Sequence, residues 1–506
     1  MNVAERLGPG APFAAVSDLV REHAAERPQA PALRDDTQAL TYAELDALMD
    51  RVAAALQRDG LRPGDAMAVC AANSLRYAAL FLGALRAGVV VAPLAASSTA
   101  QSLASMLRDA DARLLFTDDA AAPLAPPGLR RLALDGPEFD AWLAPAGARP
   151  APVAVRPEAP FNIIYSSGTT GTPKGIVQSH AMRWGHVQRA VPYGYEGGTT
   201  LLSTPLCSNT TLVAFFPTLG AGGQALLMGK FDAARFLQLA EQHRVTHAAL
   251  VPVQYQRIMA LPDFGRYDLS AFRYKFCTSA PFKADLKADV LARWPGALVE
   301  IYGMTEGGGN CMLEANRHPD KLHTVGRPQA GHDIRLIDEQ GREVPQGEAG
   351  EVVGHSPSMM TGYHNQPGKT REAEWFDPTG KRFIRTGDVG RFDADGFLIL
   401  FDRRKDMIIT GGFNVYPSDL EDQLRQHPAV ADVAVVGVPS EQWGETPVAY
   451  VVPRAGADAD AAEIMAWYNQ RAGKTQRLSD LRFIGELPRS AIGKVLKREL
   501  RDAYRP

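Results

Sequence analysis

The chain has 506 residues, more than one core comfortably holds, and 45% of them are hydrophobic, which suits a buried interior. Fifty-four Lys and Arg against 57 Asp and Glu give a net charge of −3 with no long run of one sign, so nothing calls for a nucleic acid or an anionic membrane. Cys70, Cys207, Cys277 and Cys311 lie far apart without a CxxC pair, which argues against a disulfide framework or zinc site and for a cytoplasmic location.

Residues 1–12 lack the basic start and apolar core of a signal peptide. Thr41-Tyr42-Ala43-Glu44 has the form of a capping box, and Leu45, Leu48, Val52 and Leu56 follow at helical spacing until Gly60. A strand is expected at 66–70, a helix at 74–86 and a strand at 89–92. The apolar window 78–96 contains Arg86, Gly88 and Pro93, so it reads as a buried helix and strand and not as a membrane span. Such β–α alternation predicts a mostly parallel sheet covered by helices. Nine prolines between 120 and 160 indicate connecting loops with short elements.

A strand at 161–164 leads into Tyr165-Ser166-Ser167-Gly168-Thr169-Thr170-Gly171-Thr172-Pro173-Lys174-Gly175. Six hydroxyl-bearing residues and three glycines crowd into this loop, with a cation near its end. Glycine admits close backbone approach, and hydroxyls and bare N–H groups serve phosphate oxygens, so the loop reads as a polyphosphate cradle. It is not a Walker loop, because no Gly stands five places before a Gly-Lys-[Ser/Thr]. Further strands are expected at 201–204 and 248–251, with a helix at 233–243.

From Gly331 short strands lie close together (334–337, 350–353, 397–400) between acidic, Gly-containing turns, as in a small antiparallel or barrel-like subdomain. Asp402-Arg403-Arg404-Lys405-Asp406 packs five charges between apolar strands and marks a boundary, giving domains 1–402 and 403–506. Beyond it an α+β domain is expected: a capping box at Ser418-Asp419-Leu420-Glu421, strands at 430–438 and 448–452, and helices at 461–471 and 494–504.

The order of residues in the 165–175 loop resembles the phosphate loop of the adenylate-forming superfamily, which includes acyl-CoA synthetases, firefly luciferase and the adenylation domains of peptide synthetases. Tyr302-Gly303-Met304-Thr305-Glu306, Ser279-Ala280-Pro281, Thr386-Gly387-Asp388, Arg403, Lys405 and Pro488-Arg489-Ser490-Ala491-Ile492-Gly493-Lys494 match the same family in order. The whole chain looks most like 4-chlorobenzoate- and other aryl- or fatty-acid:CoA ligases.

The resemblance implies a large N-terminal α/β domain and a small mobile α+β C-terminal domain. It implies an ATP-dependent ligase that makes an acyl-adenylate and then a CoA thioester, with ATP, Mg²⁺ and coenzyme A. By that resemblance Ser166, Ser167, Gly168, Thr169, Thr170, Gly171 and Lys174 hold the phosphates. Tyr302 stacks on adenine, Ser279, Ala280 and Pro281 line it with backbone, and Gly303, Met304 and Thr305 complete the nucleotide site. Asp388 and Arg403 contact the ribose, and Glu306 with Thr170 holds the metal. Thr305 and Glu306 count with Lys405 and Lys494 among the catalytic residues: Lys405 is the hinge and Lys494 bridges the two reacting anions.

The acid's pocket, on the same resemblance, lies between the segment after Pro205, the strand end near Val251 and the residues around Tyr302. Cys207 and Ser208 stand where many relatives carry an aromatic residue and a His. Residues 205–216 bear no charge, and neither a carboxylate for an ammonium nor an Arg for a second carboxylate is present there. An apolar monocarboxylate, aryl, alicyclic or medium- to long-chain, is therefore expected. Asn209 and His180 are further candidates for the pocket. Gly307-Gly308-Gly309 removes side chains from one wall, which predicts a wide slot.

For the thiol, Gly411, Gly412 and Phe413 resemble the pantetheine tunnel and Trp443 a CoA contact. Lys474 and Arg477 replace the usual Lys-x-Pro stretch near the CoA phosphates. A carrier-protein phosphopantetheine is the alternative acceptor, and a nucleotide-binding protein without catalysis is the alternative class. The expected partners are small molecules, and the resemblance allows a homodimer.

Overall fold

The computed structural model describes residues 3–8, 10–166, 174–403, 406–410, 413–440, 443–457, 459–473, 476–490 and 493–505, without the side chains of 3–4, 166, 402–403 and 413–414. By compactness the chain divides into Met1–Asp333 with Gly354–Ile384, and Ile334–Val353 with Arg385–Pro506. The charged stretch 402–406 lies inside the second unit.

In the first unit the β–α alternation closes as expected. Strands Ala66–Cys70 and Val90–Leu94 pair in parallel, and helix Leu75–Arg86 crosses between them. Both strands are buried on both faces, which is why they read as apolar runs with no alternation. The described residues place them in a seven-stranded sheet with Ala112–Thr117, Arg131–Ala133, Pro160–Ser166, Lys174–Ser179 and Gly362–Tyr363. Thr41 caps helix Tyr42–Arg58 with the reciprocal Glu44 contact predicted for it. Arg86 is no obstacle to burial, because its guanidinium meets Asp46 at 2.6 Å and Asp50 at 2.8 Å.

A second, nine-stranded sheet of the described residues supplies the site. Its centre orders Ala297–Tyr302, Tyr274–Cys277, His247–Leu250, Thr199–Leu202 and Gln224–Leu227, all parallel, with antiparallel pairs only at its two ends. No described helix is long and apolar enough to cross a membrane.

Strand Arg382–Phe392 carries the chain from one unit to the other. Its early residues pair with Glu374–Phe376 in the first unit, its later ones with Leu398–Arg403 in the second. The second unit also holds the hairpin of Val430–Ser440 and Gly444–Pro453. Val433 and Val435 face a core with helices Pro417–Leu424 and Ala461–Asn469, while Ala434, Val436 and Val438 face one with Leu500. Period-2 alternation with both faces covered gives the near-continuous apolar run.

Two local expectations are corrected here. The helix expected at 418 starts earlier, with Pro417 in its first turn and no side-chain cap. Glu421 is buried and accepts from the Val435 N–H at 2.8 Å, so no capping box forms at Ser418. The last helix is Lys497–Ala503 and does not include Lys494. Gly493 has φ +75°, the Ser490 N–H donates to the Lys494 carbonyl at 2.8 Å, and Arg489 pairs with Val495. These bonds set Lys494, where periodicity starts the helix, in a turn ahead of it.

Candidate active site

In open parallel sheets, ligands bind beyond the carboxyl ends of the strands. Four neighbouring strands of the nine-stranded sheet end on one such edge. Ala297–Tyr302 delivers Tyr302 and the residues up to Glu306, and Tyr274–Cys277 delivers Ser279. His247–Leu250 is followed by Val251, and Thr199–Leu202 by Cys207, Ser208 and Asn209. Strand order thus gathers segments a hundred residues apart.

Side chains tie this edge together. Ser279 has φ +82°, unusual for a residue with a Cβ, and its Oγ lies 2.5 Å from Thr210 Oγ1. Ser208 caps helix Asn209–Gly220, accepting from the Thr210 N–H. Gln178 Nε2 donates to the Thr305 carbonyl at 2.8 Å and reaches Asn209 Oδ1 at 3.5 Å. Glu306 Oε1 accepts from the Tyr363 hydroxyl at 2.8 Å, and Lys174 Nζ stands 5.0 Å from that ring's centre. Lys174 and Glu306 therefore flank one tyrosine, the cation from the end of the loop and the carboxylate from the sheet edge. A carboxylate there is a hard oxygen donor of the kind that Mg²⁺ takes. Met304, Gly303 and the Ala280-Pro281 pair follow the same strand ends.

The second unit holds its own group. Thr386, Gly387 and Asp388 lie within strand Arg382–Phe392 and not after one; Gly387 (φ +72°) and a register shift between Asp388 and Gly390 break the ladder there. The pairing sets Asp388 opposite Arg403, so the two expected ribose contacts are cross-strand partners. Thr410 pairs with Phe413 and with Gly444, which brings the Phe413 and Trp443 segments together. Arg477 is exposed, next to Leu478 and the Ser479 N–H that donates to the Pro447 carbonyl. Lys494 sits in its turn, half-buried.

Ser167, Gly168, Thr169, Thr170, Gly171, Lys405, Gly411, Gly412 and Lys474 lie outside the described residues, as do the side chains of Ser166, Arg403 and Phe413.

Two sets of pocket candidates have packed surroundings. His180 opens helix His180–Ala190 and lines a cleft of about 370 Å³ with Pro63, Gly88, Val153 and Pro160. It packs on Phe161, and burial pulls its imidazole down to about 4. Gly307 and Gly308, after Glu306, do not leave open space where their side chains would stand. A Cβ at Gly307 would lie 2.1 Å from the Ser358 carbonyl, and one at Gly308 would lie 2.8 Å from Ile384 Cβ. Protein already fills the volume their side chains would take. Gly307 also has φ +74°, so Gly307→Ala is expected to cost about 3 kcal/mol in a denaturant titration.

The family model described as "AMP-binding enzyme" matches residues 20–364, and "AMP-binding enzyme C-terminal domain" matches 419–494. The chain belongs to the AMP-binding enzymes. It is similar to a feruloyl-CoA synthase of Amycolatopsis sp. (36% identity over 486 residues, 94% of this chain and 96% of the relative). It is also similar to the fatty acid–[acyl-carrier-protein] ligase ScoC of Streptomyces coeruleorubidus (32% over 499 residues, 95% of each). Among solved structures, ATP-bound MatB from Rhodopseudomonas palustris superposes with a TM-score of 0.86 at 31% identity, over 96% of this chain and 99% of that one. This AMP-binding enzyme is thus an adenylate-forming protein of the aryl- and fatty-acid:CoA ligase group, an AMP-forming acid–thiol ligase.

Some residues of the enzyme's site carried no sequence signal. Gln178 and Asn162 are polar residues in buried strands, bonded to each other at 3.1 Å. Tyr363, a partner of Glu306, precedes it by no periodicity and follows it by more than fifty residues. Only a buried polar residue inside an apolar run hinted at the first two.

Proposed function

We propose that this AMP-binding enzyme joins an acid with an apolar body to coenzyme A through an acyl-adenylate. The reading rests on one observation: adjacent parallel strands end together at Tyr302, Ser279, Val251 and the 205–209 segment, with Glu306 and Lys174 on one tyrosine beside them. ATP lies along the 165–175 loop, with adenine at Tyr302 and the Ser279-Ala280-Pro281 backbone, and with the ribose at Asp388 and Arg403. Glu306 with Thr170 holds Mg²⁺, which neutralises phosphate charge so that a carboxylate can approach. Lys494 bridges the attacking carboxylate and the α-phosphate, and a mobile domain from residue 403, hinged at Lys405, carries it.

The acid occupies the uncharged segment Cys207, Ser208, Asn209 and the Val251 strand end, and CoA meets Gly411, Gly412, Phe413, Trp443, Lys474 and Arg477. The described cysteines are all free, in keeping with a cytoplasmic enzyme. The name of the ScoC relative supports a second reading, in which a carrier protein takes the acyl group. The enzyme incubated with ATP, Mg²⁺ and a panel of acids should release pyrophosphate, and free CoA should then give AMP and a thioester. Transfer to a holo-carrier but never to free CoA would favour the second reading. Pyrophosphate from no acid at all would defeat both.

A further inference from the structure

Tyr363 ends the short strand Gly362–Tyr363, and its side chain meets two opposite charges. Its hydroxyl donates to Glu306 Oε1 at 2.8 Å, and Lys174 Nζ stands 5.0 Å from the ring's centre. All three residues belong to the first unit. Among the described residues Lys174 makes no ion pair, and no donor takes the other oxygen of Glu306. The ammonium and the carboxylate thus share one ring without neutralising each other.

Strand register explains the arrangement. Tyr363 lies opposite Ile176 in the antiparallel pair with strand Lys174–Ser179. Lys174 is two residues from Ile176 and therefore on the same face, a diagonal neighbour within reach of a long side chain. The ring cannot follow either charge, because its seat is fixed. The Tyr363 N–H donates to Thr370 Oγ1 at 2.9 Å. On either side, the Thr361 N–H donates to the Val177 carbonyl at 3.0 Å and the His364 N–H to the Gly175 carbonyl at 2.7 Å. The ring is buried in a cluster with Ile176, Met360 and Ile384, and Met304 packs against it. The same segment holds Glu306 by its backbone, since the Met360 N–H donates to the Glu306 carbonyl at 2.8 Å.

Such a fixed ring has a chemical use. An aromatic face attracts an ammonium without cancelling its charge, as an ion pair would. A phenol O–H given to one carboxylate oxygen orients that carboxylate and leaves its other oxygen for a cation.

We infer that Tyr363 is a positioning residue for ATP and its metal. It keeps Lys174 and Glu306 apart, so that the ammonium meets phosphate oxygens and the carboxylate meets Mg²⁺; in direct contact each would neutralise the other. This rests on the reading above, in which the 165–175 loop holds the phosphates and Glu306 the metal.

The test separates the two halves of the tyrosine. ATP binding to the full-length enzyme is measured by calorimetry without any acid, once in EDTA and once in excess Mg²⁺. Tyr363→Phe loses the hydroxyl and keeps the ring beside Lys174. It should bind ATP in EDTA within about twofold of the parent, because a Phe ring also seats a cation. Its tightening by Mg²⁺ should fall roughly 10-fold, the effect of losing a hydrogen bond to a charged group. Tyr363→Leu loses the ring as well and lets Lys174 pair with Glu306. Its ATP affinity should fall roughly 10-fold even in EDTA, because the cation is no longer held for the phosphates. A tyrosine that merely packs would instead lower ATP affinity equally with and without Mg²⁺ in both variants. That equal loss, or a Tyr363→Phe enzyme with the parent's Mg²⁺ tightening, overturns the inference, and the Phe variant decides it alone if Tyr363→Leu does not fold. A parent enzyme that binds no ATP, or binds it no tighter with Mg²⁺, would strike the reading of the loop and Glu306 beneath it.

Discussion

Replacement of Lys494 by alanine is expected to slow acyl-adenylate formation by about 10²–10³-fold, the loss seen when one preorganised donor to a developing charge is removed. The physical reason is that the first step brings two anions together. A carboxylate and an α-phosphate oxygen 4 Å apart repel by about 4 kcal/mol at an effective dielectric constant of 20. One ammonium bridging them offsets a repulsion of that order. The fold should survive the change. The turn that presents Lys494 is held by the Ser490 N–H, by the Arg489 guanidinium on the Gly493 carbonyl at 2.8 Å, and by Arg489 on Asp432 at 2.5 Å. Circular dichroism and melting should therefore match the parent. Thioester formation from a supplied acyl-adenylate should keep its rate, since that step displaces AMP and no longer joins two anions. Arginine at 494 should rescue little, because a planar fork does not replace a compact ammonium. A variant that releases pyrophosphate as fast as the parent would remove Lys494 from the mechanism.

The legible parts of this molecule were those decided locally. Thr41 and Glu44 cap a helix because the reciprocal bonds need only four residues, and 66–70 is a strand because an apolar run of that length between turns has few other uses. The ordered segments at 165–175, 302–306 and 488–494 pointed to the chemistry, and the parallel strand order explains why Tyr302, Ser279 and Val251 share an edge. What failed depended on direction. Three glycines announce missing side chains but not where those side chains would point, and here those of Gly307 and Gly308 would point into Ser358 and Ile384. Lys494 reads as the start of a helix until Gly493 takes a positive φ.

The same limit hides the pair expected to matter most for stability. Glu300 lies inside strand Ala297–Tyr302, 4% exposed, and Lys287 of helix Ala284–Arg293 is 1% exposed. They form an ion pair, and the ammonium also donates to the Leu322 and Thr324 carbonyls at 2.7 and 3.0 Å. Burial pushes the Glu300 carboxyl from 4.5 up to about 7, and Lys287 opposes that rise. Lys287→Met should therefore cost about 3–5 kcal/mol at pH 8, because it strands a buried carboxylate and leaves two carbonyls without their donor. The pH dependence carries the signature. Between 4.5 and the folded value the native protein holds a proton that the unfolded chain has released, so stability falls as pH rises through that window. Without the cation the folded value climbs further, so the variant's deficit should shrink as pH is lowered toward 5. Lys287→Met combined with Glu300→Leu should recover part of the loss, since an apolar pair replaces a stranded charge. Denaturant midpoints at pH 5 and 8 decide it, and equal deficits at both would refute the assignment. Strand Ala297–Tyr302 also delivers Tyr302 and Glu306, so the single variant should weaken ATP binding at pH 8 and the double variant should restore it.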